Sequence, residues 1–144
     1  EVPEMPIRDL ARDEIVSVGP ETPVLDVARR MRDDNVGSVV VTNDDVPAGI
    51  VTDRDLTTRV LAEAMEADGH TAGDVMSTNV CAVDPDTGVY EALEVMSEHG
   101  VRRLPICGEN DEVEGIVTAD DLLELLADES RQLASVIQTQ RPGY

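Results

Sequence analysis

The 144-residue chain carries 31 acidic against 11 basic residues, all of the latter Arg, for a formal charge of −20, a balance that repels a phosphate backbone and excludes nucleic acid as a partner. Hydrophobic residues make up 41%, enough for a core, yet no apolar run approaches a membrane span and no signal core opens the sequence; the expectation is a cytoplasmic globular protein without a membrane partner. Aromatic side chains are reduced to Tyr90 and Tyr144, so a stacking platform for single strands is missing and any planar ligand must lie between aliphatic groups.

Taken in chain order, Ile15 to Val18 is a short apolar strand. Thr22 is predicted as a helix N-cap with Pro23 at the first helical position, and Val24, Val27, Ala28 and Met31 share one face of that helix. Two strands follow, Val36 to Thr42 and Ala48 to Thr52, around the turn-rich segment 43–47. A second helix starts near Asp53, continues into residues 57–73 and connects through Asp68-Gly69-His70-Thr71.

The order then recurs. It runs through a strand from Val80 to Val83, an N-cap at Thr87, and a helix with Val89, Ala92, Leu93 and Met96 on one face. Strands Val101 to Cys107 and Val113 to Thr118 follow, and a last helix starts near Ala119. Its extension through Leu133, Val136 and Ile137 carries an apolar face expected to pack on its own domain or on a sister subunit.

The recurrence is written in the residues. An offset of 65 superposes Asp9 on Asp74, Val18 on Val83, Pro20 on Pro85, Thr22 on Thr87, Met31 on Met96 and Val36 on Val101. After one inserted residue the offset becomes 66, and Gly49-Ile50-Val51-Thr52-x-x-Asp55-Leu56 falls on Gly115-Ile116-Val117-Thr118-x-x-Asp121-Leu122. The chain is therefore an internal duplication of a strand-helix-strand-strand-helix unit, an α/β (α+β) fold. Residues 8–66 form the first repeat with a connector helix, 72–128 the second, and 129–144 a C-terminal helix and tail.

The repeated heptad admits two explanations. Thr followed three residues later by Asp, ahead of an apolar run, is a helix-capping box. The same geometry also suits a nucleoside phosphate: the helix N-terminus and the Thr hydroxyl donate to phosphate, Asp accepts from a ribose diol, and Gly lets the strand backbone approach the ligand.

With Gly-x-x-Thr-x-x-Asp present in both copies of this unit, the chain resembles a tandem pair of cystathionine-β-synthase (CBS) domains over roughly residues 8 to 128. The resemblance implies two repeats about a pseudo-two-fold axis with two clefts for AMP, ADP, ATP or S-adenosylmethionine. It implies a regulatory role toward an attached or partner protein, and a homodimer. Asp55 and Asp121 would then bind ribose, and Thr52 and Thr118 phosphate. Ile15, Val16, Val36 and Val40 would line the base pocket of one cleft, and Asn79, Val80, Val101 and Pro105 that of the other.

The copies differ at Gly37-Ser38 against Arg102-Arg103. Those arginines either pair with surface carboxylates or point into a cleft to neutralise phosphate, which makes the second-copy cleft the expected polyphosphate binder unless an arginine reaches across the pair axis. Cys81 and Cys107 read as buried thiols and His99 as a solvated or capping residue. Neither His70 nor His99 is arranged with Ser, Cys or paired acids, so no catalytic or metal site and no catalytic cofactor is expected. The nucleotide dehydrogenases that carry a similar pair keep their chemistry on a barrel of roughly 250 residues, for which there is no room here. The remaining alternatives are a ligand-sensing module and a ligand-free scaffold. The dispersed carboxylates resemble the surfaces of proteins from salt-adapted cells, where salt screens their repulsion.

Overall fold

The computed structural model describes residues 5–12, 15–78 and 82–140. After a 3-10 turn at Ile7–Asp9, strand β1 (Ser17–Val18) leads to helix α1 (Val24–Asp34) and the strands β2 (Ser38–Asn43) and β3 (Val46–Thr52). Helix α2 (Asp53–Asp55) runs straight into a π-helical stretch, Leu56–Leu61. The second half contains α3 (Ala72–Val75), α4 (Val89–His99), β4 (Arg103–Cys107), β5 (Val113–Thr118) and α5 (Ala119–Gln140).

In the first sheet β1 runs parallel to β2 and β2 antiparallel to β3. In the second, β4 pairs antiparallel with β5, and Val83 bridges Ile106 in parallel at the place that β1 occupies in the first copy. The duplication extends to irregularities. Register shifts fall at Val41/Thr42 and at Ile106/Cys107, and the helices α1 and α4 both end on a left-handed residue, Asn35 (φ 54) and Gly100 (φ 63).

The entry segment of each repeat is seated on the other repeat. Ile7 N–H donates to the Thr87 carbonyl and Ala72 N–H to that of Thr22, each at 2.7 Å. Arg12 exchanges two backbone bonds with Ile116 (3.0 and 3.2 Å), and Ser77 exchanges two with Ile50 (2.9 and 3.1 Å). These are the same bonds under the sequence offset, written once in each direction. The cores follow: Ala72 and Val75 complete the one built on Val24, Val27, Val39, Val41 and Val51, whereas Ile7 joins Val89, Ala92, Leu104, Ile106 and Val117 in the other.

This exchange explains two departures from expectation. Thr22 and Thr87 are not the N-caps: α1 is capped by Pro23 and α4 by Gly88, neither through a side chain, while the Thr carbonyls accept the incoming segments. The heptad glycines also serve the exchange. A Cβ on Gly49 would stand 2.4 Å from Met76 Sδ and 2.9 Å from the Ser77 carbonyl, and one on Gly115 would stand 3.2 Å from Ala11 Cβ and from the Arg12 carbonyl. What comes close to these glycines is the crossing strand of the partner repeat.

Three further expectations meet a different structure. The second helix of the first copy does not continue through the connector; it stops at Leu61, and Ala64 (φ 53) turns the chain. The expected β1 shortens to Ser17–Val18, because these are the residues in register with Val40 and Val41. Helix α5 runs unbroken for 22 residues, but its last buried residue is Leu122; Leu133, Val136 and Ile137 are 62%, 51% and 53% exposed, so this face does not pack on its own domain. Among the described residues no helix is long and apolar enough to cross a membrane.

Candidate functional site

Both heptads form the capping box in full. At the start of α2, Thr52 Oγ1 accepts from Asp55 N–H (3.1 Å) and Asp55 Oδ2 from Thr52 N–H (2.9 Å); at the start of α5, Thr118 and Asp121 do the same, with both bonds at 3.1 Å. A third box, Thr71 with Asp74 at α3, lacks the Gly-Ile-Val prefix. The Thr71 backbone N–H, with its hydroxyl, holds the Asp74 carboxyl below the usual range. Capping alone thus accounts for Thr-x-x-Asp at all three places.

The cap of the second heptad faces a cleft. A cleft of about 610 Å³ is lined by Ile15, Val16, Val36 and Val40 from the first repeat and by Thr118, Ile116 and Asp120 from the second. The four aliphatic residues assigned from sequence to one base pocket therefore come together, and the wall opposite them is the N-terminus of α5. The parallel pairing of β1 with β2 sets the aliphatic side, since Val16 C=O accepts from Val40 N–H at 3.0 Å. The crossing strand at Arg12 and Ile116 fixes the other side.

Two arginines and two aspartates line the cleft. Arg103 lines it together with Arg12, a residue the sequence analysis did not single out. Among the described residues Arg103 makes no ion pair; its Nη2 would lie 3.7 Å from a Cβ on Gly37, with Asp53 Oδ2 at 3.4 Å from the same point. The acids in the lining are already matched, Asp34 by Arg30 Nε at 3.0 Å and Asp120 by Arg102 Nη2 at 3.5 Å. The two sequence alternatives for the double arginine thus divide between its members. Arg102 makes the surface pair; Arg103 points into a cleft, and it crosses to the first copy's aliphatic patch. A signal for Arg12 existed in its offset: it stands at the position of Ser77, so of the two crossing strands only the first carries an arginine at that position.

Asp121 is the most enclosed acid here, its side chain 10% exposed, and Arg12 Nη2 donates to its Oδ1 at 2.9 Å. Asp55, 15% exposed, has Arg59 Nε at 3.7 Å instead, and Arg59 also donates to the Val75 and Met76 carbonyls. On the other side of the pair axis, Val101 and Pro105 occupy the positions of Val36 and Val40, with Pro105 fully buried; Asn79, Val80 and Cys81 lie outside the described residues. Cys107 is a buried free thiol whose pKa burial pushes up. His70 and His99 each place Nδ1 at 3.0 Å from a carbonyl one turn back, and no group of three or more His, Cys, Asp or Glu among the described residues is arranged to hold a metal.

These features define an internally duplicated α+β module with a ligand-sized cleft on the seam between its halves. The CBS domain family model matches residues 7–62 and 72–128, and the chain belongs to that family. An uncharacterised protein of Methanopyrus kandleri is 38% identical over 120 residues, which cover 83% of this chain and 61% of that protein, so the match spans under two thirds of that relative. Hypoxic response protein 1 of Mycobacterium tuberculosis is 34% identical over 116 residues, 80% of each chain. A crystal structure of hypoxic response protein I with two coordinated zinc ions superposes with a TM-score of 0.73 at 31% identity, covering 83% of this chain and 98% of that one. A CBS domain pair solved in complex with 5′-methylthioadenosine and S-adenosyl-L-methionine shares the fold, with a TM-score of 0.79 at 20% identity over 88% of this chain and 99% of that one.

Proposed function

We propose that this chain is a regulatory ligand-sensing module that binds adenine nucleotides (AMP, ADP or ATP) or S-adenosylmethionine at the seam between its repeats and signals occupancy to a partner protein. One observation carries the reading: a single cleft joins an aliphatic patch able to enclose a base to a helix N-terminus flanked by two arginines. Aliphatic walls suit a purine face, and the Thr118 hydroxyl, the positive end of α5 and Arg103 suit its phosphates. The ligands of the related pair, 5′-methylthioadenosine and S-adenosyl-L-methionine, share the adenosine part of that chemistry and carry no phosphate. Because each cleft wall belongs to a different repeat, a ligand that binds one relative orientation better than another shifts the pair toward it, which is the signal a partner can read.

A thermal-shift series with AMP, ADP, ATP and S-adenosylmethionine at molar salt tests this, since a ligand that binds only the native state raises the melting temperature. Arg103→Ala is expected to weaken ATP roughly tenfold while changing adenosine little, as a charge-assisted contact is worth about 1.5–3 kcal/mol. Molar salt is chosen because the carboxylate surface is read as an adaptation to it. The absence of any shift would favour the other reading, a ligand-free scaffold, for which the complete capping boxes speak.

The exposed stripe Leu126, Leu133, Val136 and Ile137 on α5 is proposed as the face on which two copies meet. Sedimentation at high salt reads this directly, and a monomer at tens of micromolar would remove the dimer from the reading.

A further inference from the structure

Both oxygens of Asp121 are engaged: Oδ2 accepts from Thr118 N–H and Oδ1 from Arg12 Nη2. The first bond is the helix cap and is lost only if α5 loses its first turn. The second is made by a side chain that is 66% exposed, on a backbone held to Ile116 by two hydrogen bonds. Arg12 can therefore swing away from Asp121 without unseating the strand that carries it. The Asp121 side chain is only 10% exposed with the Arg12 guanidinium against it, so a ribose hydroxyl that reaches the carboxylate has to move Arg12 aside. Arg12 already lines the cleft with Thr118 and Arg103, so a guanidinium released from Asp121 has that volume to turn into.

We infer that Arg12 is a latch that determines specificity: it covers Asp121 and gives it up to a ligand only in exchange for an anion, so that the cleft selects adenosine carrying a 5′-phosphate over adenosine itself. The inference rests on the nucleotide reading above and names the ligand class within it. Neutral adenosine breaks the Arg12–Asp121 pair and offers the arginine nothing. A 5′-phosphate directed toward the N-terminus of α5 offers a stronger partner than the one lost, because charge-assisted bonds to phosphate are among the strongest that arginine makes. The related acid, Asp55, has no such device. Its neighbour Arg59 lies on the same helical segment and is tied to two carbonyls, and Ser77 stands where Arg12 would be. Among the described residues, selection by exchange is thus a property of the Asp121 cleft.

Calorimetry of adenosine and AMP with the wild-type chain and with Arg12→Ala separates the possibilities. The substitution leaves both backbone bonds to Ile116 available. The latch requires opposite changes: adenosine binds about threefold more tightly to Arg12→Ala, the scale of one partly exposed ion pair. AMP binds about tenfold more weakly, the scale of a lost charge-assisted contact. Adenosine affinity that is unchanged while AMP weakens would make Arg12 a phosphate contact and no latch, and a parallel loss of both would make it merely structural; either result overturns the inference. If neither compound binds the wild-type chain, the nucleotide reading itself has failed and takes this inference with it.

Discussion

Ile7→Ala is expected to destabilise the whole chain by about 2–5 kcal/mol, although Ile7 precedes every strand of the sheet nearest to it in sequence. Ile7 is fully buried, and its neighbours in the core are Val89, Ala92, Leu104, Ile106 and Val117 of the second repeat. Truncation removes three carbons from a site walled by two strands and a helix, which cannot collapse onto the space without disturbing the Ile7-to-Thr87 backbone bond. Met5, two residues earlier and 42% exposed, provides the comparison, since its replacement by Ala leaves no cavity. Equilibrium urea unfolding at one fixed high salt concentration measures both. If Ile7→Ala loses less than about 1 kcal/mol, the entry segment is not part of the second core and the reciprocal seating is wrong.

That seating is also where reading the sequence stopped. Periodicity found α1 and α4, because Val24, Val27 and Met31 and their counterparts Val89, Ala92 and Met96 are all buried, as one face of a helix must be. It also found the order of the strands, though four strand starts moved by two residues. The duplication was legible from identities alone. What self-comparison could not say is which copy each entry segment lies on, because Ile7 or Ala72 would complete an apolar core equally well in its own repeat. Gly49 and Gly115 held the clue. Their repetition read as room for a ligand, whereas the room is filled by Met76-Ser77 and Ala11-Arg12.

The same limit applied to the cleft. Ile15, Val16, Val36 and Val40 were named from the sequence and do share one wall, and Thr118 was named and faces them. The pairing between wall and cap could not be read, since it depends on how the repeats meet. Once the crossing strands bring Arg12 to Ile116, the cation that sequence reading overlooked stands beside the acid it had chosen.

The heaviest expected effect on binding falls on that acid. Asp121→Ala removes an N-terminal cap and the proposed ribose acceptor together, so stability falls by about 1 kcal/mol and nucleotide affinity by tenfold to a hundredfold. Asp121→Asn separates the two roles. Its amide oxygen can still accept from Thr118 N–H, which preserves the reciprocal box at the head of α5. Its amide nitrogen cannot accept from a ribose hydroxyl, and the charge that draws Arg12 is gone. Melting near the wild-type temperature with AMP affinity reduced about as far as in the Ala variant is therefore the expected result, read by scanning calorimetry and titration on the same preparation. An Asn variant that binds AMP as the wild type does would reduce the Asp121 carboxylate to a helix cap, leaving Arg103 and the aliphatic wall to carry any recognition in this cleft.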